Sequence, residues 1–398
     1  MVRLSALPKV SLVLSVYNME VCLRETLDSV LSQSHQDIEV ICINDGSTDG
    51  TLAILESYAE ADSRVRIVSR ENRGQGASRN EGIALATGGF LMLLDADDVY
   101  APNLVESLLR GIMEADADIA VCRSAEMDHE TGVVESSPWT VRVNQLPAQD
   151  PFSWEDMTDY IFTAFVGWPW DKMYRRSFVL ENGLEFPALP NSEDLVFVFL
   201  SLVRARRITF IDEELVRHRV GRSGSVSNSR ARAPFAFYDA GCLLKAELQK
   251  DVAQYDRLRW GFLNWFFDYT LWNIETMTDE DVKDEMARAF VGGCLSELEM
   301  GKHCKAYYSL DPFNIPRYYG VLQELMEEEN EQVPRRHALL DSLISLLTSC
   351  RSQGYRFGLK RILAKLRLAK PPVIEQPLPP RGDNYFAFDY NPKEKMND

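Results

Sequence analysis

The stretch "FLMLLDADD" (90–98) runs five apolar residues straight into three carboxylates, Asp95, Asp97 and Asp98. An apolar run without alternation marks a strand buried on both faces. The acids at its end admit two chemistries. One is a turn that caps a following helix, for which a single aspartate suffices. The other is a cation site. Two carboxylates roughly 5 Å apart repel by about 3 kcal/mol at an effective dielectric of 20. A divalent ion removes that repulsion, and Mn2+ or Mg2+ takes oxygen ligands shared with phosphates. On an extended backbone residues two apart point the same way. Asp95 and Asp97 are therefore assigned to a metal, and Asp98 to the framework.

Outward from this stretch the pattern repeats. "VSLVLSV" (10–16), "IEVICI" (38–43), "VRIVS" (65–69) and "DIAVC" (118–122) read as further buried strands. Between them lie helical spacings: Leu23, Leu27, Val30 and Leu31; a run from Thr51; one from about Gly76 to Ala86; and 102–115, where Pro102 suits a first turn. Alternating strand and helix predicts an α/β fold with a doubly wound, mostly parallel sheet. Ligands of such sheets bind outside the carboxyl ends of the strands. "YN" (17–18), "NDGSTDG" (44–50), "RENRGQGASRN" (70–80) and "DADD" all fall on that rim.

Asp45-Gly46 is a turn signal by itself. Its place on the rim also makes Asp45 a candidate acceptor for a base or ribose. "GQGASRNEG" lacks the GxGxxG spacing and follows the third strand, which argues against a nicotinamide cofactor. Arg79 reads equally well as a phosphate partner or brace for the acids, and as an ion-paired residue on a helix surface.

The chain has 398 residues, 45% of them hydrophobic and 26% charged, which is ordinary globular composition. A formal net charge of −17 disfavours nucleic acid as a partner. Seven cysteines stand singly, with no CxxC pair. They point to a reduced, cytoplasmic protein without structural zinc. "MVRLSALPKV" is too short and mixed for a signal peptide, and no apolar run spans a bilayer.

The stretches 10–51 and 72–98 together resemble the family 2 glycosyltransferases with the GT-A fold. The match is dense over about the first 115 residues and looser through "GWPWDKMYRRSF" (167–178), "SEDLVFVF" (192–199) and "RHRVGRSGSVS" (217–227). The resemblance implies a nucleotide-diphosphate-sugar donor, usually with uridine. It implies that Val16, Tyr17 and Asn18 hold the base with Glu20 nearby, that Asp45 contacts the nucleoside, and that Asp95 and Asp97 are the DxD that binds diphosphate through Mn2+ or Mg2+. Ser15 stands where many relatives carry proline. Inversion at the anomeric carbon is implied as well, and it requires a general base. Glu193 and Asp194 precede an apolar helix, so helix capping with Ser192 as cap is one reading, with the helix dipole keeping the carboxylate ionised. In relatives the Asp of this pair is the base, which assigns Asp194, with Glu193 positioning it. Trp168 and Trp170 read as an acceptor platform or as a core pair at the sheet edge, with one of the two expected in the core. His218, Arg219 and Arg222 stand on a Gly/Ser-rich loop that reads as a lid over the diphosphate or as a solvated loop, with His218 by itself more a packed strand residue than a catalyst.

The sequence thus predicts a GT-A-like domain over 1–230 and a mainly helical domain over 231–350, whose Trp260, Trp265, Phe266, Phe267 and Trp272 suit a core. A basic amphipathic helix is expected over 351–370, for an anionic membrane surface or for the protein's own acidic body. A proline-rich tail follows over 371–398. The expected enzyme is a metal-dependent inverting transferase acting on a glycan or lipid-linked acceptor, cytoplasmic or peripheral at the inner face of the plasma membrane. A nucleotidyltransferase would carry a Gly-rich basic loop after the first strand, where "YNMEVC" stands. A non-catalytic scaffold subunit would not need "DADD" and "SEDL".

Overall fold

The structure is a computed structural model and describes residues 7–222 and 230–290. The chain divides into two compact units, Met1–Glu247 and Leu248–Asp398. The rest of the expected helical domain, the 351–370 helix, the 371–398 tail and the Gly/Ser-rich residues 223–229 lie outside the described residues.

In the first unit β1 (Val10–Val16), β2 (Ile38–Asp45), β3 (Val65–Arg70) and β4 (Phe90–Asp95) form a parallel block in the order β3-β2-β1-β4. Every residue of β1 is buried, as its unbroken apolar run requires. The crossovers are α1 (Leu23–Leu31), α2 (Thr51–Ala61) and α3 (Gln75–Leu85). α3 lies close on β1 because Gly82 has no side chain: a Cβ there would stand 2.1 Å from Val13 Cγ1.

Beyond β4 the chain makes β5 (Val99–Tyr100), α4 (Leu104–Glu114), β6 (Ile119–Asp128) and β7 (Val134–Ser136). α4 starts two residues after Pro102. The Pro102 carbonyl accepts from Ser34 N, and the residue is spent on the turn out of β5. The fifth expected strand, β6, is not the neighbour of β4. β8 (Lys172–Arg175) lies between them, antiparallel to both, and β9 (Ile208–Val220) runs parallel to β6 with two register shifts after Cys122. α5 (Arg176–Glu181), α6 (Glu193–Arg204) and α7 (Ala236–Leu248) complete this part of the chain. The main apolar core joins β1, β2, β4 and β6 to α1 and α4.

The second unit contains α8 (Val252–Glu275) and α9 (Glu280–Ala289) among the described residues. Trp265, Phe266 and Phe267 of α8 are buried, with Trp260 and Trp272 partly so. Among the described residues no helix is long and apolar enough to cross a membrane.

Candidate active site

The carboxyl ends of β1 to β4 gather the rim loops at one edge. Val16 closes β1 and is buried. Tyr17 follows with 44% of its surface exposed. Asn18 sits at φ 52°, a left-handed conformation that asparagine tolerates better than most residues. Its Oδ1 accepts from Thr48 N at 2.8 Å, and its N donates to Ser47 Oγ at 3.0 Å. Glu20 Oε2 accepts from Gly50 N at 2.9 Å. Asn18 and Glu20 therefore stitch the first loop to the second, and Tyr17 is left as the ring facing out.

Asp45 ends β2 nearly buried. Its Oδ1 takes Arg70 Nη1 and, at 2.9 Å, Arg73 N; its Oδ2 takes Gly74 N at 2.8 Å. It organises the loop between β3 and α3.

Arg79 is 2% exposed, which removes the helix-surface reading. Its guanidinium forks: Nη2 donates to Asp95 Oδ1 at 2.7 Å and Nη1 to Glu193 Oε1 at 3.0 Å. Gln75 Nε2 also reaches Asp95 Oδ1, at 3.2 Å. The acid at the end of β4 and the first acid of α6 thus share one cation.

Extended geometry ends at Asp95, because Ala96 and Asp97 form a turn. The two acids do not keep the strand alternation expected of them. Arg222 binds Asp97 Oδ2 through Nη2 at 2.9 Å and Nε at 3.1 Å. Asp95 Oδ2 and Asp97 Oδ1 take no hydrogen bond among the described residues, so each keeps an oxygen for a cation. No group of three His, Cys, Asp or Glu suited to a metal occurs among the described residues. A Mg2+-like ion needs only one or two carboxylates when substrate phosphates and water complete its shell, so the donor set fits one.

Asp98 is fully buried. It receives Arg219 N at 2.9 Å and pairs with His218 Nδ1 at 3.1 Å. Burial pushes the Asp98 carboxyl up to about 6. Burial opposes charge on His218, but the Asp98 carboxylate outweighs it and raises the imidazole to about 9. His218 and Arg219 belong to β9, not to a loop. Arg219 Nε donates to the Asp97 carbonyl at 2.7 Å and its Nη2 pairs with Glu25. Glu25 and Gln75 carry no motif, and only their helical positions facing the rim bring them in.

Glu193 and Asp194 open α6. Ser192 does not cap it: the residue is left-handed at φ 61° and its hydroxyl donates to Asn191 Oδ1. Asp194 Oδ1 accepts from Leu195 N at 3.0 Å. Burial, then the Glu193 charge, pushes the Asp194 carboxyl up to about 7, with Arg79 opposing. The Leu195 N–H bond favours the charged form but is outweighed by desolvation. Burial also raises Glu193, against the pull of Arg79.

Trp170 is 1% exposed and stacks on Trp168 at 4.8 Å and on His218 at 5.1 Å. It has no free face for a sugar and is the core member expected of the pair, leaving Trp168. That ring is partly exposed and meets Trp139 edge-on at 5.4 Å.

The model for "Glycosyl transferase family 2" matches residues 11–177. The chain is 32% identical over 250 residues to the Bacillus subtilis protein named "Putative glycosyltransferase EpsH", covering 61% of this chain and 71% of that one. It is 31% identical over 212 residues to "Uncharacterized glycosyltransferase YibD" of Escherichia coli, covering 53% of this chain and 61% of the relative. Among solved structures, S. aureus TarS 1–349 in complex with UDP-GlcNAc aligns with a TM-score of 0.59 at 21% identity, over 82% of this chain and 93% of that one. That likeness establishes the GT-A architecture of the curled, parallel-rich sheet. The rim of acids, the strand order and these relatives agree, and the chain belongs to glycosyl transferase family 2 and is a glycosyltransferase.

Proposed function

We propose that the chain transfers a sugar from a UDP-sugar to a hydroxyl of a glycan or lipid-linked acceptor, with inversion and with help from Mn2+ or Mg2+. The observation that carries this reading is the Arg79 fork. It ties Asp95, on the donor side, to Glu193, next to the candidate base, so both halves of a displacement meet at one buried cation. The TarS complex, which contains UDP-GlcNAc, supports UDP as the carrier.

In this reading the Tyr17 ring stacks on the base, and Asn18, Glu20 and Asp45 keep the surrounding loops in place. Asp95 and Asp97 hold the divalent ion, which when bound neutralises charge on the departing diphosphate. Arg79 keeps Asp95 oriented. Trp168 carries the acceptor sugar. Asp194 takes the proton of the attacking hydroxyl. A carboxyl near 7 suits that role, since a base works best with a pKa close to the operating pH. A lipid-linked acceptor suits the basic 351–370 stretch, which would hold the enzyme at the inner face of the plasma membrane. Loss of anionic-vesicle binding on deleting 351–398 is the expected result, and unchanged binding removes that part.

A panel of UDP-sugars and acceptor glycosides, with and without Mn2+ or EDTA, tests the whole. UDP release that needs metal, and a product whose anomeric NMR coupling is inverted, is the expected outcome. Metal-independent turnover, or retained configuration, contradicts it.

A further inference from the structure

Lys172 on β8 and its neighbour Asp171 are both fully buried and pair at 2.7 Å. A buried lysine–carboxylate pair is a poor source of stability, because desolvation consumes most of the attraction. This pair is also incomplete, since Asp171 Oδ2 is buried without a hydrogen-bond partner. Such a cost in a native structure asks for a reason. The ammonium is fully used: besides Asp171 Oδ1 it donates to the Trp168 carbonyl at 2.8 Å and the Val166 carbonyl at 3.1 Å. Those two carbonyls flank Gly167. Gly167 in turn lies against α6, where a Cβ would stand 2.5 Å from Leu195 Cδ2 and 3.6 Å from Leu195 Cα. Leu195 directly follows Asp194. Residues 166–168 are therefore gripped between the Lys172 ammonium and the first turn of α6.

We propose that Lys172, paired with Asp171, is a positioning residue that fixes the Trp168 ring relative to Asp194 and so sets where an acceptor sugar sits against the base. The inference rests on the reading of Trp168 as acceptor platform and Asp194 as base. Removing both charges together tends to preserve a fold that removing one would break. The main variant is therefore Asp171→Leu with Lys172→Met, in the full chain labelled with 5-fluorotryptophan. Loss of one 19F resonance in Trp168→Phe identifies the Trp168 signal.

In the double variant the Trp168 signal shifts or broadens, the Trp260 and Trp265 signals stay, and UDP affinity by calorimetry is unchanged. Transfer to methyl glycosides, relative to hydrolysis of the UDP-sugar by water, falls at least about tenfold through the acceptor KM, as misplacement of a bound reactant should produce. A folded double variant with the Trp168 signal and the transfer-to-hydrolysis ratio both unmoved overturns the proposal. If the double variant does not fold, Gly167→Ala displaces the same segment from the α6 side and must move both readouts; an unchanged ratio there also overturns it. The two layers separate cleanly. Trp168→Ala with an unchanged ratio defeats the acceptor reading, whereas a loss in Trp168→Ala without one in the double variant defeats only the positioning role.

Discussion

Replacing Arg79 by methionine removes one buried cation and strands two carboxylates. The Arg79 side chain is 3% exposed, as against 6% for Glu193 and 20% for Asp95. Breaking a buried pair from one side costs about 3–5 kcal/mol, because the remaining charge keeps its desolvation penalty. For a unit of roughly 150–250 residues, each kcal/mol lowers Tm by about 2–4 °C, so the loss is about 6–20 °C by scanning calorimetry. The pH profile moves as well. Arg79 holds down the carboxyl of Asp194, which burial and Glu193 push up. Without it the acid limb of kcat/KM shifts to higher pH, and a shift of one pH unit corresponds to about 1.4 kcal/mol. Neutralising the partners too, with Glu193→Gln and Asp95→Asn, recovers most of the melting temperature but not the activity. An Arg79→Met protein that melts with the wild type and keeps its acid limb refutes the idea of a shared cation.

Two further changes probe the framework. Burial pushes the Glu39 carboxyl up, but bonds from Ser11, Thr87 and Lys9 outweigh it and hold it at about 2. A depressed acid stabilises above its unfolded value and loses that contribution as pH falls through its folded one. Glu39→Gln should therefore cost about 1–3 kcal/mol in urea titrations at pH 7, with the deficit shrinking from pH 4.5 toward 2; a deficit independent of pH speaks against it. Gly82→Ala would ordinarily strengthen a helix by about 1 kcal/mol. Here the new methyl meets Val13, so the expected sign reverses to a loss of about 1–3 kcal/mol, and a gain in stability would show that α3 can retreat.

The parallel block was legible because β1, β2 and β4 are buried on both faces and must be written in unbroken apolar runs. β8 was not, since a four-residue strand containing Lys172 looks like a surface segment until the Asp171 pair accounts for its burial. β9 hid for a related reason: its centre, "DEEL", is partly exposed, and only pairing with β6 and β5 makes it a strand. The rim acids were visible as types but not as partners. Nothing in the spacing tells that one arginine joins residues 95 and 193. The turn at Ala96–Asp97 also breaks the alternation that local sequence supports. That Trp170, and not Trp168, is the core member of the pair is set by burial, which a linear pattern does not report.

The most direct measurement is the pH dependence of transfer by the wild type and Asp194→Asn, with UDP affinity measured on both by calorimetry. A wild-type acid limb near 7 is expected. Asp194→Asn should lose about 10²–10⁴ in rate, the usual worth of a general base, with UDP bound as before. Transfer by Asp194→Asn within about tenfold of wild type at pH 7 would place the base elsewhere and contradict the assignment of Asp194.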